Sequence, residues 1–214
     1  MTSQDFSLEF DLLYNNVSSN QAPGLTEYEK SVFLTQAQEA LVLDLYKGIS
    51  GDSFETTEEV TRYLSSLVQT YRFELEEITD KAHDFYEYKP TEFKNDLWFI
   101  TFQSGRVTVG DATRDVIVIP TIQSNLYKDL QNPFRGPNKN KVLAISENSN
   151  ITLYSKYPID SYYIKYLKRP TPIVLEDSEL DIESISAFNV DLPESLHRQI
   201  LLRAVQMAKA VWQS

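Results

Sequence analysis

Hydrophobic and polar positions form their clearest patterns in the last third of the chain. Tyr162, Ile164 and Tyr166 share one face of a stretch that alternates in polarity. This period of two predicts a strand with one face buried. Pro170 and Pro172 follow it and lack a backbone N–H, so we expect regular pairing to stop there or to continue only along a sheet edge.

A period close to four predicts a long helix over residues 191–212. Asp191 and Glu194 are spaced as the two members of a capping box at its start. A helix of this kind, ending in Trp212, needs a packing partner in its own chain or in another subunit. Its predicted apolar stripe consists of Leu196, Ile200, Leu201, Ala204, Val205, Ala208 and Val211.

Helical spacing of apolar residues also predicts three helices before residue 72. The first covers about residues 5–17, and the second begins at a capping box formed by Thr26 and Glu29. The third continues to Tyr71. The expected stripe of the second helix is Val32, Phe33, Ala37, Ala40, Leu41 and Leu45. Short connections favour an antiparallel bundle, with the C-terminal helix as its fourth member.

The middle of the chain contains short apolar runs rich in β-branched and aromatic residues, which favour strands. Residues 97–102 and 115–120 predict buried strands, and residues 141–146 with 151–155 predict a hairpin. A short helix is expected at residues 123–131.

These elements together predict an α+β fold. Residues 1–71 and 190–214 are expected to form a helical connector body, and residues 72–189 an antiparallel β-rich insertion within it. A length of 214 residues suits one sizeable domain or two small ones.

Charge is unevenly distributed along the chain, whose net charge is −11. Residues 1–90 hold 17 acidic and 6 basic residues, residues 91–170 hold 7 and 11, and residues 171–214 hold 7 and 3. The acidic total argues against a general phosphate-backbone binder. The reversal of sign either makes the molecule electrically two-ended or reflects chance clustering on solvated faces.

The composition excludes several classes of site. With no cysteine, the chain has neither disulfides nor thiolate metal sites. The N-terminus lacks the basic segment and apolar run of a secretory signal, and no stretch approaches the ~20 apolar residues of a membrane helix. We therefore expect a soluble protein that is assembled in a cytoplasm, with no membrane partner.

Motifs of catalysis and cofactor binding are weak. His83 and His197 are too few for the metal sites of phosphohydrolases, and surface positions are expected for them. No Gly-x-Ser-x-Gly or Gly-x-Gly-x-x-Gly motif occurs. We interpret the acidic pairs, including the run at 176–183, as solvated surface rather than as general acid–base pairs. No catalytic residue, metal site or cofactor is predicted.

The loop at residues 132–137, taken with Lys139 and Lys141, is the most basic one that the sequence places at the surface. It either presents its aromatic and arginine side chains to a partner, as interface centres often do, or is a plain turn with Phe134 tucked inward. The candidate interface residues are Phe134, Arg135, Lys139, Lys141 and Trp212.

Three parts of the chain resemble a virion structural protein of crAss-like tailed phages. They read FDLLYNNVSSNQAPGLTEYEKS from residue 10, NPFRGP from residue 132, and YIKYLKRPTPIVL from residue 163, followed by LPESLH from residue 192. Such proteins look like ring or adaptor subunits of the head-to-tail connector, between portal and tail.

The resemblance implies a non-enzymatic protein of the virion. It implies a ring of about twelve copies in contact with the portal and with adjacent tail or ring proteins. DNA would pass through this ring without specific binding. Two other classes stay open, namely another tail- or capsid-associated virion protein and a hydrolase with a dispersed carboxylate site.

Overall fold

A computed structural model describes residues 1–15, 24–48, 54–74, 81–82, 85–90, 96–147, 150–175 and 190–213. The described helices are α1 Ser3–Asn15, α2 Glu27–Gly48, α3 Phe54–Leu64 with a 3₁₀ turn Ser65–Leu67, α4 Gln123–Gln131 and α5 Glu194–Gln213. The described strands are β1 Val68–Glu74, β2 Lys81–Ala82, β3 Phe85–Tyr88, β4 Leu97–Val109, β5 Ala112–Pro120, β6 Lys141–Glu147, β7 Asn150–Ser155 and β8 Ile159–Lys168. The fold is α+β, as predicted.

The chain divides into two compact units. One contains Met1–Leu67 and Arg169–Ser214, and the other contains Val68–Lys168. We call them the helical unit and the sheet unit. The predicted insertion began at residue 72 and ended at residue 189, whereas the contacts assign residues 169–175 to the helical unit.

In the helical unit, α5 packs against α1 and α2, and α2 also packs against α3. The buried apolar residues of these helices are Phe6, Phe10, Tyr14, Leu34, Ala37, Leu41, Val42, Val60, Leu64, Leu196, Ile200, Leu201, Ala204, Val205 and Ala208. Six of the seven residues in the predicted α5 stripe are among them. Val211 is 65% exposed, so the buried stripe ends before the last turn of the helix.

The buried face of the second helix overlaps the predicted stripe in part, because Ala37 and Leu41 are buried but Val32 is not. Val32 is exposed because it lies on the side of α2 opposite Leu34. The buried face includes three polar residues, Lys30, Ser31 and Gln38, which an apolar stripe cannot reveal.

Both N-terminal helices begin at reciprocal side-chain caps. At α2 the Thr26 N–H donates to Glu29 Oε2 (2.8 Å) and the Glu29 N–H donates to Thr26 Oγ1 (3.3 Å), which confirms the predicted capping box. At α1, Thr2 and Asp5 make the equivalent pair at 2.8 and 3.2 Å. The bond from the backbone N–H lowers the pKa of Asp5 and of Glu29.

The start of α5 differs from the prediction. The helix begins at Glu194, and Asp191 lies three residues before it. The Asp191 carboxylate accepts hydrogen bonds from the N–H and hydroxyl of Thr171, at 2.7 and 2.8 Å. Asp191 therefore fixes the segment that follows the sheet unit.

That segment, residues 169–175, docks on α2 through alternate backbone N–H groups. The N–H of Ile173 donates to Thr35 Oγ1 (3.1 Å) and that of Leu175 donates to Ser31 Oγ (2.9 Å). Pro172, which precedes both donors, has no N–H to satisfy. Ile173 and Leu175 are buried, so these polar groups of α2 satisfy backbone atoms inside the unit.

A buried ionic cluster joins α1 to α2. The Lys30 ammonium, whose side chain is only 3% exposed, donates to Asp11 Oδ2 (2.7 Å), Glu27 Oε1 (2.9 Å) and Ser7 Oγ (3.1 Å). Burial lowers the pKa of Lys30, but the hydrogen bonds to Asp11 and Glu27 outweigh it and raise the pKa above its usual value. Lys30 is therefore held in its charged form.

His197 is buried, so the prediction of a surface histidine is wrong for this residue. It is 7% exposed, its ring lies 5.4 Å from that of Phe6, and its Nε2 donates to the Leu192 carbonyl at 3.1 Å. No described group hydrogen-bonds its Nδ1. His83 lies outside the described residues.

The His197 environment predicts a loss of stability in mild acid. Burial, and then the Met1 ammonium, lower the pKa of His197 against the raising effects of the Leu192 carbonyl and Glu194. Below about pH 6.5 the unfolded chain therefore binds a proton that the folded chain refuses, so stability is complete above that pH and declines below it. For one proton the slope cannot exceed about 1.4 kcal/mol per pH unit.

Guanidinium unfolding between pH 7.5 and 5 measures this slope. The variant His197→Gln keeps an N–H donor for the Leu192 carbonyl but does not titrate, so its curve should be flatter. Equal slopes for the two proteins would contradict the prediction.

The sheet unit contains an eight-stranded sheet in the order β1-β8-β4-β5-β6-β7-β3-β2 over the described residues. Strands β5 and β6 are parallel, with Ile117 opposite Lys141, so the prediction of an antiparallel insertion is wrong at this pair. A parallel pair requires a crossover connection, which α4 and the loop after it supply. The other neighbouring strands are antiparallel, including the predicted hairpin of β6 and β7.

One face of this sheet forms its core. The buried set is Phe73, Tyr88, Val107, Val116, Val118, Val142, Ala144, Ile151, Leu153, Ile159, Tyr162 and Ile164. The prediction of a fully buried β5 is wrong, because Ile117 and Ile119 are 67% and 39% exposed on the other face. The predicted face of β8 is buried, and the hydroxyls of Tyr162 and Tyr166 donate to Gln103 (2.8 Å) and Asp96 (3.0 Å).

The third helix ends earlier than predicted. The residues expected to form its last turns, up to Tyr71, belong instead to the first strand, β1. Val68 pairs with Leu167 and Tyr71 pairs with Ile164, both across β1 and β8. The spacing of Val68 and Tyr71 also suits a helix, but β-branched and aromatic side chains pack well on a pleated surface. Packing on β8 decides their conformation.

Candidate assembly surface

The basic loop begins where α4 ends, and Asn132 shapes its first turn. The Asn132 side-chain oxygen accepts hydrogen bonds from the N–H groups of Phe134 (2.9 Å) and Arg135 (3.2 Å). Its own N–H donates to the Asp129 carbonyl at 3.3 Å, which caps the helix. Local hydrogen bonds thus form the turn, and they fix the backbone of Phe134 and Arg135.

Gly136 allows the loop to fold closely onto the end of α4. Its N–H donates to the Asn132 carbonyl at 2.7 Å. A Cβ at this position would lie 2.8 Å from the Asn132 carbonyl oxygen and 3.0 Å from that of Asp129. Both are backbone atoms, so any other residue would force the turn to open.

Lys141 ties the far end of the loop to its tip. Its ammonium donates to the Phe134 carbonyl at 2.6 Å, and its backbone exchanges hydrogen bonds with Asn138 at 3.0 and 3.2 Å. Lys141 was predicted as an interface residue, and in the structure its ammonium also supports the loop.

The loop presents Phe134 to solvent. Phe134 is 88% exposed, which contradicts the alternative in which this ring is tucked inward. The Arg135 side chain is 77% exposed and lies 3.9 Å from Asp129, and Lys139 is also exposed. An aromatic ring and two cations therefore project from a locally fixed turn, while the Trp212 side chain lies outside the described part of the chain.

A second exposed apolar patch lies on the face of the sheet opposite the core, and sequence reasoning missed it. It contains Phe102 (51% exposed), Ile117 (67%) and Ile119 (39%), with Tyr163 half-buried beside Phe102. In β5 the exposed isoleucines alternate with buried valines, so both faces of the strand are apolar. Alternation of polarity, the only available signal, is absent there.

The described residues contain no group of three or more His, Cys, Asp or Glu side chains that could hold a metal ion. Among the helices described, none has the length and apolarity needed to cross a bilayer. The exposed apolar and charged patches of the described residues are typical of contacts with other proteins.

Comparison with known proteins gives relatives over the whole length of the chain. A family model described as phage tail ring protein 3/4 matches residues 1–214. "Ring protein 3" of Bacteroides phage crAss001 is 41% identical over 220 residues, covering 97% of this chain and 95% of that protein. "Ring protein 4/5" of the same phage is 28% identical over 228 residues, covering 100% and 94%.

The resemblance seen in three short segments thus extends over the entire sequence. The chain belongs to the phage tail ring protein 3/4 family of crAss-like phages and is a structural ring protein of the virion.

Proposed function

We propose that this ring protein is a subunit of the head-to-tail connector, in which about twelve copies form a closed ring that links the portal to the tail around a passage for DNA. The 41% identity to a crAss001 ring protein over 97% of the chain carries this proposal. The subunits assemble in the host cytoplasm, and their role is geometric rather than catalytic. In this proposal the helical unit is a helix bundle that forms the connector body, and the sheet unit is an insertion in its sequence.

The ring itself is tested by native mass spectrometry and electron microscopy of the purified protein. Rings of about a dozen copies are the expected result. A discrete monomer that hydrolyses a substrate would overturn the proposal in favour of the enzyme class.

The charge distribution supports a passage that does not grip DNA. The helical unit contains 18 acidic and 7 basic residues, whereas the sheet unit contains 13 of each, so the entire net charge of −11 belongs to the helical unit. Walls lined by lysine and arginine would hold duplex DNA by counterion release, and acidic walls would not. We assign this acidic part of the chain, either the N-terminal helices or the run at 176–183, to the wall of the passage.

The Phe134 loop is assigned to a contact with a neighbouring virion protein. Arg135 and Lys139 add positive charge around an exposed aromatic ring, and complementary charge sets the orientation of such contacts more than their strength. A virion map should place this loop away from the DNA. Finding it along the passage, with the acidic helices outside, would contradict the assignment.

Charge reversal at the loop should weaken assembly in a salt-dependent way. Lys139→Glu is expected to reduce assembly most at low salt, because the Debye length falls from ~10 Å at 0.1 M to ~3 Å at 1 M. Adding Lys141→Glu should cause a further loss that persists at high salt, since Lys141 also holds the Phe134 carbonyl at 2.6 Å.

Sedimentation velocity of mixtures with the partner ring, across a salt series, measures both effects. Lys156→Glu is the matched control, because Lys156 is an exposed lysine in another turn of the sheet unit. The assignment fails if Lys139→Glu and Lys156→Glu behave alike at every salt concentration.

A further inference from the structure

The exposed patch on the sheet crosses three neighbouring strands. Ser104 on β4 pairs with Tyr163 on β8 and with Ile117 on β5. Phe102, two residues from Ser104, makes an edge-on ring contact with Tyr163 at 5.9 Å. Phe102, Tyr163, Ile117 and Ile119 thus form an apolar strip on the outer face, with the partly buried Ser104 between Tyr163 and Ile117, and we call it the sheet patch.

Cations border this strip. Arg72 on β1 is paired with Tyr163, and Lys165 on β8 is paired with Phe102; both are exposed. Of the carboxylates on the same face, Asp115 accepts from Arg106 at 2.8 Å, Asp160 accepts from Thr108 at 2.7 Å, and Glu74 of β1 is exposed two residues from Arg72. Lys165 has Thr70 and Phe102 opposite it rather than a carboxylate. A matching partner would therefore carry an apolar centre and acidic edges.

The helix α1 exposes a surface with those two properties. Leu8 and Leu12 lie one turn apart and are 69% and 61% exposed. Asp5 and Glu9 lie beside them and are exposed, on the side of the helix away from the buried Phe6 and Phe10. The dimensions also agree. The α1 surface from Asp5 to Leu12 is about 10 Å long, and the sheet from β1 through β8 and β4 to β5 is about 14 Å wide.

We propose that the exposed face of α1 from one copy docks on the sheet patch of the next copy, and that this contact repeats around the ring. The proposal rests on the proposed ring function. A ring of more than two copies needs two different, complementary surfaces on each subunit. Pairing like with like would bring the cations of two sheet patches together, or the carboxylates of two α1 faces, so neither surface suits a symmetric dimer.

Single substitutions on either surface should weaken the ring. Ile117→Asp and Leu8→Asp each place a carboxylate in an apolar contact, and each is expected to raise the concentration needed for ring formation at least about tenfold. Both side chains are exposed in the subunit, so folding should be unaffected, which circular dichroism and thermal melting check. Ile122→Asp, at a residue 61% exposed outside the patch, is the matched control.

A charge swap tests the pairing itself. Arg72→Glu and Glu9→Arg should each weaken the ring, and the double variant should recover most of the loss, as read by native mass spectrometry over a dilution series. The proposed interface is wrong if Ile117→Asp or Leu8→Asp forms rings as readily as the wild-type protein, or if the double variant does not recover. Neither result would contradict the proposal that the protein forms a ring. A wild-type protein that forms no ring would overturn the proposed function and this interface with it.

Discussion

Removing residues 191–214 is expected to leave a chain without a folded helical unit. The deleted helix α5 contributes four large buried side chains, Leu196, Ile200, Leu201 and Val205. Full burial of each is worth about 1.5–3 kcal/mol, so about 6–12 kcal/mol is lost. A typical domain is stable by only ~5–15 kcal/mol.

The deletion also removes polar links to the first two helices. The Lys209 ammonium donates to the Leu13 carbonyl at 2.9 Å, and Arg203 lies 2.7 Å from the Asp44 carboxylate. Circular dichroism and solubility of the truncated chain measure the outcome. A truncated protein that melts at the temperature of the full-length one would refute the prediction.

Two adjacent leucines of α5 supply a matched test of the same packing. Leu201 is fully buried, whereas Leu202 is 43% exposed. Leu201→Ala should lower the free energy of unfolding by about 2–5 kcal/mol, and Leu202→Ala by much less. If urea denaturation gives the same loss of unfolding free energy for both variants, the buried stripe of α5 does not stabilise the helical unit.

Local features of the fold were predictable because their causes lie within a few residues. The capping box of Thr26 and Glu29 needs only a spacing of three, and the alternation at Tyr162 and Ile164 needs only neighbouring positions. The apolar stripe of α5 is equally local. These patterns carry their own physical reason in the sequence.

Features that depend on distant partners could not be predicted. Ser31 and Thr35 of α2 hydrogen-bond backbone atoms 144 and 138 residues away, so their burial leaves no local signal. Val68 and Tyr71 fit a helix by spacing, and only their pairing with β8 makes them a strand. Tertiary context overrides a weak local preference in such cases.

The two candidate surfaces also differ in how far the sequence could predict them. The composition of the Phe134 loop marked it as basic and aromatic, but its exposure depends on the turn set by Asn132 and closed by Gly136. The sheet patch gave no warning, because the exposed Ile117 and the buried Val118 are both apolar. Which face of β5 is covered depends on distant parts of the sheet unit, whose core contains Val116 and Val118.

The buried charge of Lys30 is the site of the last prediction. Lys30→Met keeps the aliphatic stem but leaves the carboxylates of Asp11 and Glu27 without their cation. Removing one member of a buried ion pair costs about 3–5 kcal/mol. Because Asp11 is 46% and Glu27 28% exposed, water screens part of the loss, and a value of about 3 kcal/mol is expected.

Guanidinium unfolding compares this variant with Lys47→Met, at an exposed lysine of the same helix, which should change stability by less than about 0.5 kcal/mol. Glu27→Gln added to Lys30→Met should recover part of the loss, since the neutral amide removes one uncompensated charge. If Lys30→Met is no less stable than Lys47→Met, the ionic cluster does not stabilise the contact between α1 and α2. Its polar groups would then be retained for the specificity of that contact instead.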